Sequence, residues 1–536
     1  METLSAARTQ SWLSWFLRGI LILGFLGIFA RLVELQVIKG HYFRDLAEGN
    51  RVRRIPIMAP RGKILARGGE ILAGNKEVKR AIIFDANEGF GKSDDLAGVD
   101  GEDIIAEYER DYPFKETLAH TLGYLGEVSK EEVGKINPLC PEKGPRRGGS
   151  LVGRGGLEEE YECILGGIDG EELIEVNSLG KKVRILGEKP ATPGTNIKTS
   201  IDVNLQTVVA KAMEEAKGAA VITDKEGSVL ALYSAPSFDP NAFIGKVDSE
   251  AVSGYLKNAN LPLFNRAIGG EYHPGSVFKP LVAVAALSEG RVTKDFLYED
   301  TGVISVAGFN YTNWYFNQYG RTEGEINITR AIARSTDTFF YKMGEFLGIN
   351  ALADWAKKFG VGRQTGIDLP GEVTGLMPDP EWKKRVKGEN WFLGNTYHAS
   401  IGQGDVTTTV IQINSLTGTI ANGGKLCTPS IAKSPQCKNL GIRADVLEIV
   451  KEGMVEACRT GGTGYTFFDF EPQVGCKTGT AETNLDGKTH AWFTVFGPKD
   501  FPEIVATVLV EGGGEGSRVA GPLAREIFNY YFGKID

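Results

Sequence analysis

Apolar and polar positions change texture along the chain. Trp12 to Ala30 is apolar apart from Ser14, Arg18 and the glycines. Nineteen residues at about 1.5 Å each span roughly 28 Å, close to the hydrocarbon core of a bilayer. Arg18 sits near one end, where its stem can carry the charge to the interface. No small-x-small cleavage site follows Ala30 before Arg31-Leu32-Val33-Glu34, so the pattern predicts an uncleaved anchor rather than a signal peptide. From Gly40 to about Gly194, strand-like and short helical patterns mix. Arg51 to Ile57 alternates like a half-exposed strand, and Arg61 to Gly69 reads as a turn-rich connection. Phe90 to Gly101 reads as an acidic loop, and residues 142–156, with six glycines and four basic residues, as a mobile one. No G-x-x-x-x-G-K-[ST] phosphate loop is present there.

After Pro193-Gly194 the segments lengthen. Gln206 to Ala216 has helical spacing, and Gly218 to Leu232 reads as a hairpin turning at Asp224 to Gly227. Ala491 to Gly497 and Ile504 to Val510 add two strands, and Pro522 to Phe532 closes as an amphipathic helix. Strands at both ends with helices between predict a mixed α/β (α+β) fold, an antiparallel-type sheet flanked by helices. The helical insert, roughly 280 to 460, is expected to form a second lobe. No internal repeat is visible.

Composition narrows the reading only a little. Hydrophobic content of 42% and charged content of 24% fit a large globular core, and 536 residues predict two or three folded units. A net charge of −8 without a basic domain argues against nucleic-acid binding. Cys140, Cys163, Cys427, Cys437, Cys458 and Cys476 form no C-x-x-C pair, and the five histidines are scattered, so no metal signature appears. The cysteines read as buried small apolar residues rather than a disulfide framework, although Cys427 and Cys437 could bridge one loop.

Candidate chemistry centres on Tyr272-His273-Pro274-Gly275-Ser276-Val277-Phe278-Lys279-Pro280, followed by the apolar run Leu281 to Leu287. Proline and glycine end the preceding segment, and the run predicts a buried helix with Ser276 in its first turn and Lys279 on the same face. A hydroxyl at a helix start beside an amine is one way to activate a serine without histidine. S-x-x-K alone says little, since Ser178 to Lys181 and Ser430 to Lys433 match it too. Gly180 spoils the first as a helix, and Thr428-Pro429 places the other in a strand-like stretch. Ser335-Thr336-Asp337 falls between the helical patterns Asn327 to Arg334 and Thr338 to Phe346. Lys477-Thr478-Gly479-Thr480 precedes the strand at Ala491. S-x-D is also cheap, matching Ser200-Ile201-Asp202 and Ser237-Phe238-Asp239; a helix cap or a polar strand edge would explain either motif alone. The order S-x-x-K, S-x-[ND], K-T-G is what is specific, and class A β-lactamases and penicillin-binding proteins share it.

With those motifs the chain resembles the class B penicillin-binding proteins of the elongation type, the penicillin-binding protein 2 group. Supporting stretches are Asn265 to Ile268, Ile401-Gly402-Gln403-Gly404-Asp405, Ile420 to Gly424 and His490-Ala491-Trp492-Phe493. Upstream, His120 to Gly126 and Gly155-Gly156-Leu157-Glu158 resemble that family's membrane-proximal pedestal. The resemblance implies a peptidoglycan D,D-transpeptidase with a tail at 1–11, an anchor at 12–35, a pedestal at 36–194 and a transpeptidase domain at 195–536. It implies Ser276 as nucleophile, Lys279 as base, and Ser335 as proton relay. Asp337 would contact substrate or position Lys279; Lys477 would be catalytic, its charge lowering the Lys279 pKa, and with Thr478, Gly479 and Thr480 would hold the substrate. Stem peptides and β-lactams would be the ligands, and a SEDS-family glycosyltransferase in the membrane the partner, with no cofactor. Arg31, Lys39 and Arg44 after the span favour a cytoplasmic bulk by charge count; the resemblance implies the opposite, an inner-membrane anchor with the catalytic domain extracytoplasmic.

The same motifs would serve a D,D-carboxypeptidase or β-lactamase-type hydrolase, but neither needs a span plus a long pedestal. A silent β-lactam sensor or scaffold would be favoured by loss of Lys279 or Lys477, and both are present. Ala66 stands where the family's turn usually carries aspartate, and the pedestal is short around Asp85 to Asp111. Some relatives bind zinc near S-x-[ND] through Asp, His and Cys. Asn310 to Gly324 holds none of these, so no metal is expected.

Overall fold

The computed structural model describes residues 12–85, 89–93, 95–97, 104–177, 182–483 and 487–534. The chain forms two compact units, each from discontinuous stretches. One takes the residues up to Pro60 with Glu77–Tyr108 and Ile168–Pro193; the other takes Arg61–Lys76, Glu109–Gly167 and Gly194 onward.

In the first unit, helix α1 (Trp12–Val33) continues as a π-helical turn, Glu34–Ile38. The apolar stretch Trp12–Ile38 has 27 residues, with an 18-residue window of mean hydropathy 2.0, long and apolar enough to cross a membrane. The tail 1–11 lies outside the described residues. The expected strand is β1 (Val52–Ile57), antiparallel to β2 (Gly170–Val176), which pairs antiparallel with β3 (Lys182–Lys189). Phe90 to Gly101 is not all loop: Gly89–Ser93 is a strand paired with 81–85, while residue 94 and residues 98–101 lie outside the described residues.

In the second unit, the loop expected at 142–156 is irregular only as far as Ser150. Leu151–Arg154 is a strand paired antiparallel with Tyr124–Glu127. A Cβ on Gly153 would lie 2.0 Å from Glu158 O, and one on Gly156 2.2 Å from Gly123 N. Gly153 and Gly156 thus admit close backbone approach. Nor is Arg61 to Gly69 merely turns, since Ile64–Leu65 runs parallel to Ile197–Lys198. Arg61 Nε and Arg110 Nε each donate at 2.6 Å to the fully buried Glu158 carboxylate, and the Tyr112 hydroxyl adds a donor at 3.2 Å. Burial works to raise the Glu158 pKa, but the two guanidiniums outweigh it and hold the pKa below the usual range.

The longer elements after Gly194 carry all three sequence motifs. Helix α2 (Val203–Ala212) starts at Asp202, whose side chain accepts from the N–H groups of Asn204 and Leu205. Strands β4 (Gly218–Asp224) and β5 (Val229–Ala235) form the expected hairpin. Then come helices α3 (Lys279–Ser288), α4 (Ile328–Arg334), α5 (Asp337–Leu347), α6 (Val410–Ala421) and α7 (Ala444–Ala457). Strands β6 (Gly475–Glu482), β7 (Thr489–Gly497) and β8 (Ile504–Val510) and helix α8 (Ala520–Tyr531) close the chain. The sheet runs β5-β4-β8-β7-β6 and is antiparallel throughout, as the sequence predicts. Alternate strand residues enter opposite cores: Val221, Phe496 and Leu509 face α3 and α6, while Ile222, Val495 and Val508 face α2 and α8. Both faces are covered, which is why these strands read as unbroken apolar runs.

All six cysteines are paired, as Cys140–Cys163, Cys427–Cys437 and Cys458–Cys476, against the expectation of unpaired buried residues, although Cys427–Cys437 is the one bridge the sequence allowed. The fold, not a short spacing, brings the partners together. Cys427 and Cys437 face each other across a two-strand ladder, and Cys458 at the end of α7 meets Cys476 in β6.

Candidate active site

Gly275 sets the local geometry. Its φ of +56° lets the chain turn into a 3₁₀ segment, Gly275–Phe278, that feeds α3. Ser276 therefore lies in the 3₁₀ turn just before the α-helix, and Lys279 is the helix's first residue. The turn is pinched from two sides. Gly275 N–H donates to Gly402 O at 2.9 Å, and a Cβ on Gly402 would sit 2.4 Å from Gly275 O. Across from it, a Cβ on Gly479 would meet Trp492 Cβ at 2.9 Å and Pro274 O at 3.1 Å. The Trp492 indole N–H donates to His273 O at 3.0 Å. The Ile401 to Asp405 stretch, the K-T-G strand and His490 to Phe493 thus all grip the segment that carries Ser276.

Ser335 occupies the left-handed conformation (φ +58°, ψ 37°) at the end of α4, between the two expected helices. A non-glycine residue stays there only when its surroundings hold it. Its hydroxyl lies between two fully buried lysines, accepting from Lys279 Nζ at 3.3 Å and Lys477 Nζ at 2.9 Å. Lys279 Nζ also donates to Ser335 O at 2.8 Å and Asp337 Oδ1 at 2.6 Å; Lys477 Nζ also donates to Thr478 O at 3.0 Å. Among the described residues the Ser276 hydroxyl has no hydrogen-bond partner, Lys279 included. Once Lys477 is neutral, the Ser335 hydroxyl can accept from Lys279 while donating its own proton to Lys477.

The electrostatics are asymmetric. Burial pushes the Lys279 pKa down while the Asp337 carboxylate opposes it. Lys477 is pushed well below its ordinary value, first by burial and then by the Lys279 charge. The pair sheds its first proton most easily from Lys477, and Ser335 joins the two sites.

The remaining candidates sit around this centre. The Thr478 hydroxyl turns away from the lysines and donates to Thr463 Oγ1 at 2.9 Å. Exposed Thr480 accepts from Gly516 N–H at 3.4 Å, and its carbonyl would lie 3.1 Å from a Cβ on Gly275. Of the other S-x-x-K matches, Ser430 is buried with its hydroxyl on Thr428 O, and Lys433 pairs with Glu160. Ser178 to Lys181 lies outside the described residues.

Comparison with known proteins points the same way. The Penicillin binding protein transpeptidase domain matches residues 218–529, more than half the chain, and the Penicillin-binding Protein dimerisation domain matches 91–199. The chain belongs to the penicillin-binding proteins. The peptidoglycan D,D-transpeptidase MrdA of Haemophilus influenzae is 31% identical over 96% of this chain and 90% of its own length. The complex between penicillin-binding protein PBP2 and MreC from Helicobacter pylori superposes with TM-score 0.77 at 27% identity, covering 90% of this chain and 100% of that one. A structure described as structural coordination of polymerization and crosslinking by a peptidoglycan synthase complex gives TM-score 0.77 at 31% identity, covering 98% of this chain and 99% of that one.

In this membrane-anchored penicillin-binding protein, three site residues escape the sequence reading. Thr463 lies in a glycine-rich turn, and its contact with Thr478 depends on the fold. Asn313 and Trp314 lie in the stretch read only for missing metal ligands. Trp314 N–H donates to Asp337 Oδ2 at 3.0 Å and its indole N–H to Arg334 O at 3.0 Å, tying the S-x-D turn down. No spacing rule marks either residue.

Proposed function

We propose that this chain crosslinks peptidoglycan stem peptides during cell elongation as a serine D,D-transpeptidase, and that Ser276 is its nucleophile. The observation that carries the site assignment is the Lys279–Ser335–Lys477 cluster beside the Ser276 turn. With one positive charge on the pair, Ser335 passes a proton from Lys279 to Lys477. That leaves Lys279 neutral to accept the Ser276 proton and Lys477 charged to hold the substrate's terminal carboxylate. Ser276 Oγ then attacks the carbonyl between two terminal D-alanines. The oxyanion is held by the N–H groups of Ser276 and Thr480, about 3–4 kcal/mol per donor. The C–N bond breaks, the leaving D-alanine takes its proton through Ser335, and an amine from a neighbouring stem displaces Ser276 to form the crosslink. Thr478, Gly479 and Thr480 form the strand edge along which the substrate lies. A β-lactam traps Ser276 as a stable acyl-enzyme.

The wider assignments rest on the resemblance and the named relatives. We assign the tail to 1–11, the anchor to 12–35, the pedestal to 36–194 and the catalytic domain to 195–536. The anchor crosses the bacterial inner membrane once, with the catalytic domain outside the cytoplasm. A SEDS-family glycosyltransferase is the proposed membrane partner, supported by the synthase-complex relative, and an MreC-type protein a second, supported by the Helicobacter pylori complex.

The test supplies a D-Ala-D-Ala donor peptide and an amine acceptor and follows both products. Transpeptidation releases one D-alanine per crosslinked product. Release with water as the only acceptor would make the protein a carboxypeptidase and overturn the proposal.

A further inference from the structure

Asp337 faces Lys279, and a second layer of buried polar groups holds Asp337. At its base lies Asp300, fully buried at the end of the strand Tyr298–Asp300. Asp300 Oδ1 accepts from Gly302 N–H at 3.0 Å and the Thr338 hydroxyl at 2.7 Å. Its Oδ2 accepts from Asn313 Nδ2 and Glu323 N–H, both at 2.9 Å. Asn313 is also fully buried and is used at both ends. While Nδ2 serves Asp300, Oδ1 accepts the Asp337 backbone N–H at 3.1 Å. Reversing the amide would set oxygen against a carboxylate and NH₂ against an N–H, so the network fixes its orientation. The next backbone N–H, from Trp314, takes Asp337 Oδ2 and leaves Oδ1 to Lys279.

We propose that Asn313, anchored by Asp300, is a positioning residue of the transpeptidase site: it fixes how Asp337 presents Oδ1 to Lys279 and so tunes proton exchange at that amine. A purely architectural Asp300 would need only to organise residues 301–324. Here one amide joins that hub to the first residue of α5, whose N–H has no partner within its own helix. The groups facing Lys279 are Asp337 from α5, Lys477 from β6 and the Phe340 ring, 5.3 Å from Nζ. Asp337 also acts on Tyr341 from α5, which Glu482 of β6 reaches too, and Asp300 acts on Tyr298. Loosening Asp337 leaves the Lys279 ammonium less stabilised, so the amine becomes neutral at lower pH.

The inference rests on Lys279 as base, and the experiment separates the two ideas. Second-order acylation by a fluorescent penicillin is measured against pH for the full-length protein in detergent. The variants are Asn313→Ala, Asp300→Asn, Asp337→Asn and the double variant Asn313→Ala/Asp337→Asn. Asn313→Ala is expected to move the acid limb down by about 0.5 unit or more and to lower the plateau roughly tenfold. In the Asp337→Asn background it should move the limb no further. If Asn313→Ala is too unstable to purify, Thr338→Val, which removes one of the Asp300 donors, should show the same shift in smaller measure. A limb that moves in Asp337→Asn but superimposes on wild type in the other single variants overturns the inference alone. A limb that stays fixed in Asp337→Asn as well overturns both it and the assignment of Lys279 as base.

Discussion

In the proposed mechanism, Ser335 is where proton transfer in the site meets its geometry. Its hydroxyl touches both buried amines, and its left-handed backbone holds it there. Ser335→Ala removes the bridge while leaving both lysines in place, so they can no longer exchange a proton through it. Acylation is expected to fall about 10²–10⁴-fold, the usual range for a proton-transfer group, with little change in initial binding. Separating the binding constant from the acylation rate in stopped flow checks this; a loss confined to binding would contradict the relay. The sequence named Ser276, Lys279, Ser335, Asp337 and Lys477 as candidates because each sits in a short motif. It could not name Asn313 or Thr463, whose partners come from other segments, nor show that the Asp337 carboxylate opposes the fall of the Lys279 pKa while the Lys279 charge adds to that of Lys477.

Edge strand β6 and the 3₁₀ turn before α3 form the working contact between elements. Gly479 makes that contact possible, because any Cβ there runs into Trp492 and the Pro274 carbonyl. Gly479→Ala is expected to push the strand off the Ser276 turn and to cost at least about tenfold in acylation by misplacement. Near-wild-type acylation by this variant would show that the strand can yield. Strands β4, β5, β7 and β8 were legible because their apolar runs are long and bounded by turn residues. Residues 151–156 differ from the loop reading because glycine serves both loose turns and close backbone contacts, and only the neighbours' positions distinguish them. The cysteines were misread for a similar reason, since their pairing depends on which strand and helix ends meet.

For the whole molecule, the order of three separated motifs outweighed any single one and pointed to one family. The discontinuous compact units were not legible, because burial links such as Arg61 to Glu158 join residues far apart in sequence. Every candidate site residue belongs to the unit that contains Gly194 onward. A form lacking residues 1–40 is therefore expected to be acylated at the full-length rate while losing membrane association, checked by fractionation and penicillin labelling together. Loss of acylation on removing the anchor would contradict a site built within that unit.

The most direct measurement of the central claim is mass spectrometry of the protein after incubation with a labelled β-lactam, followed by peptide mapping. One adduct is expected, on Ser276, and none in Ser276→Ala. An adduct on another serine, or one that persists in Ser276→Ala, would contradict it.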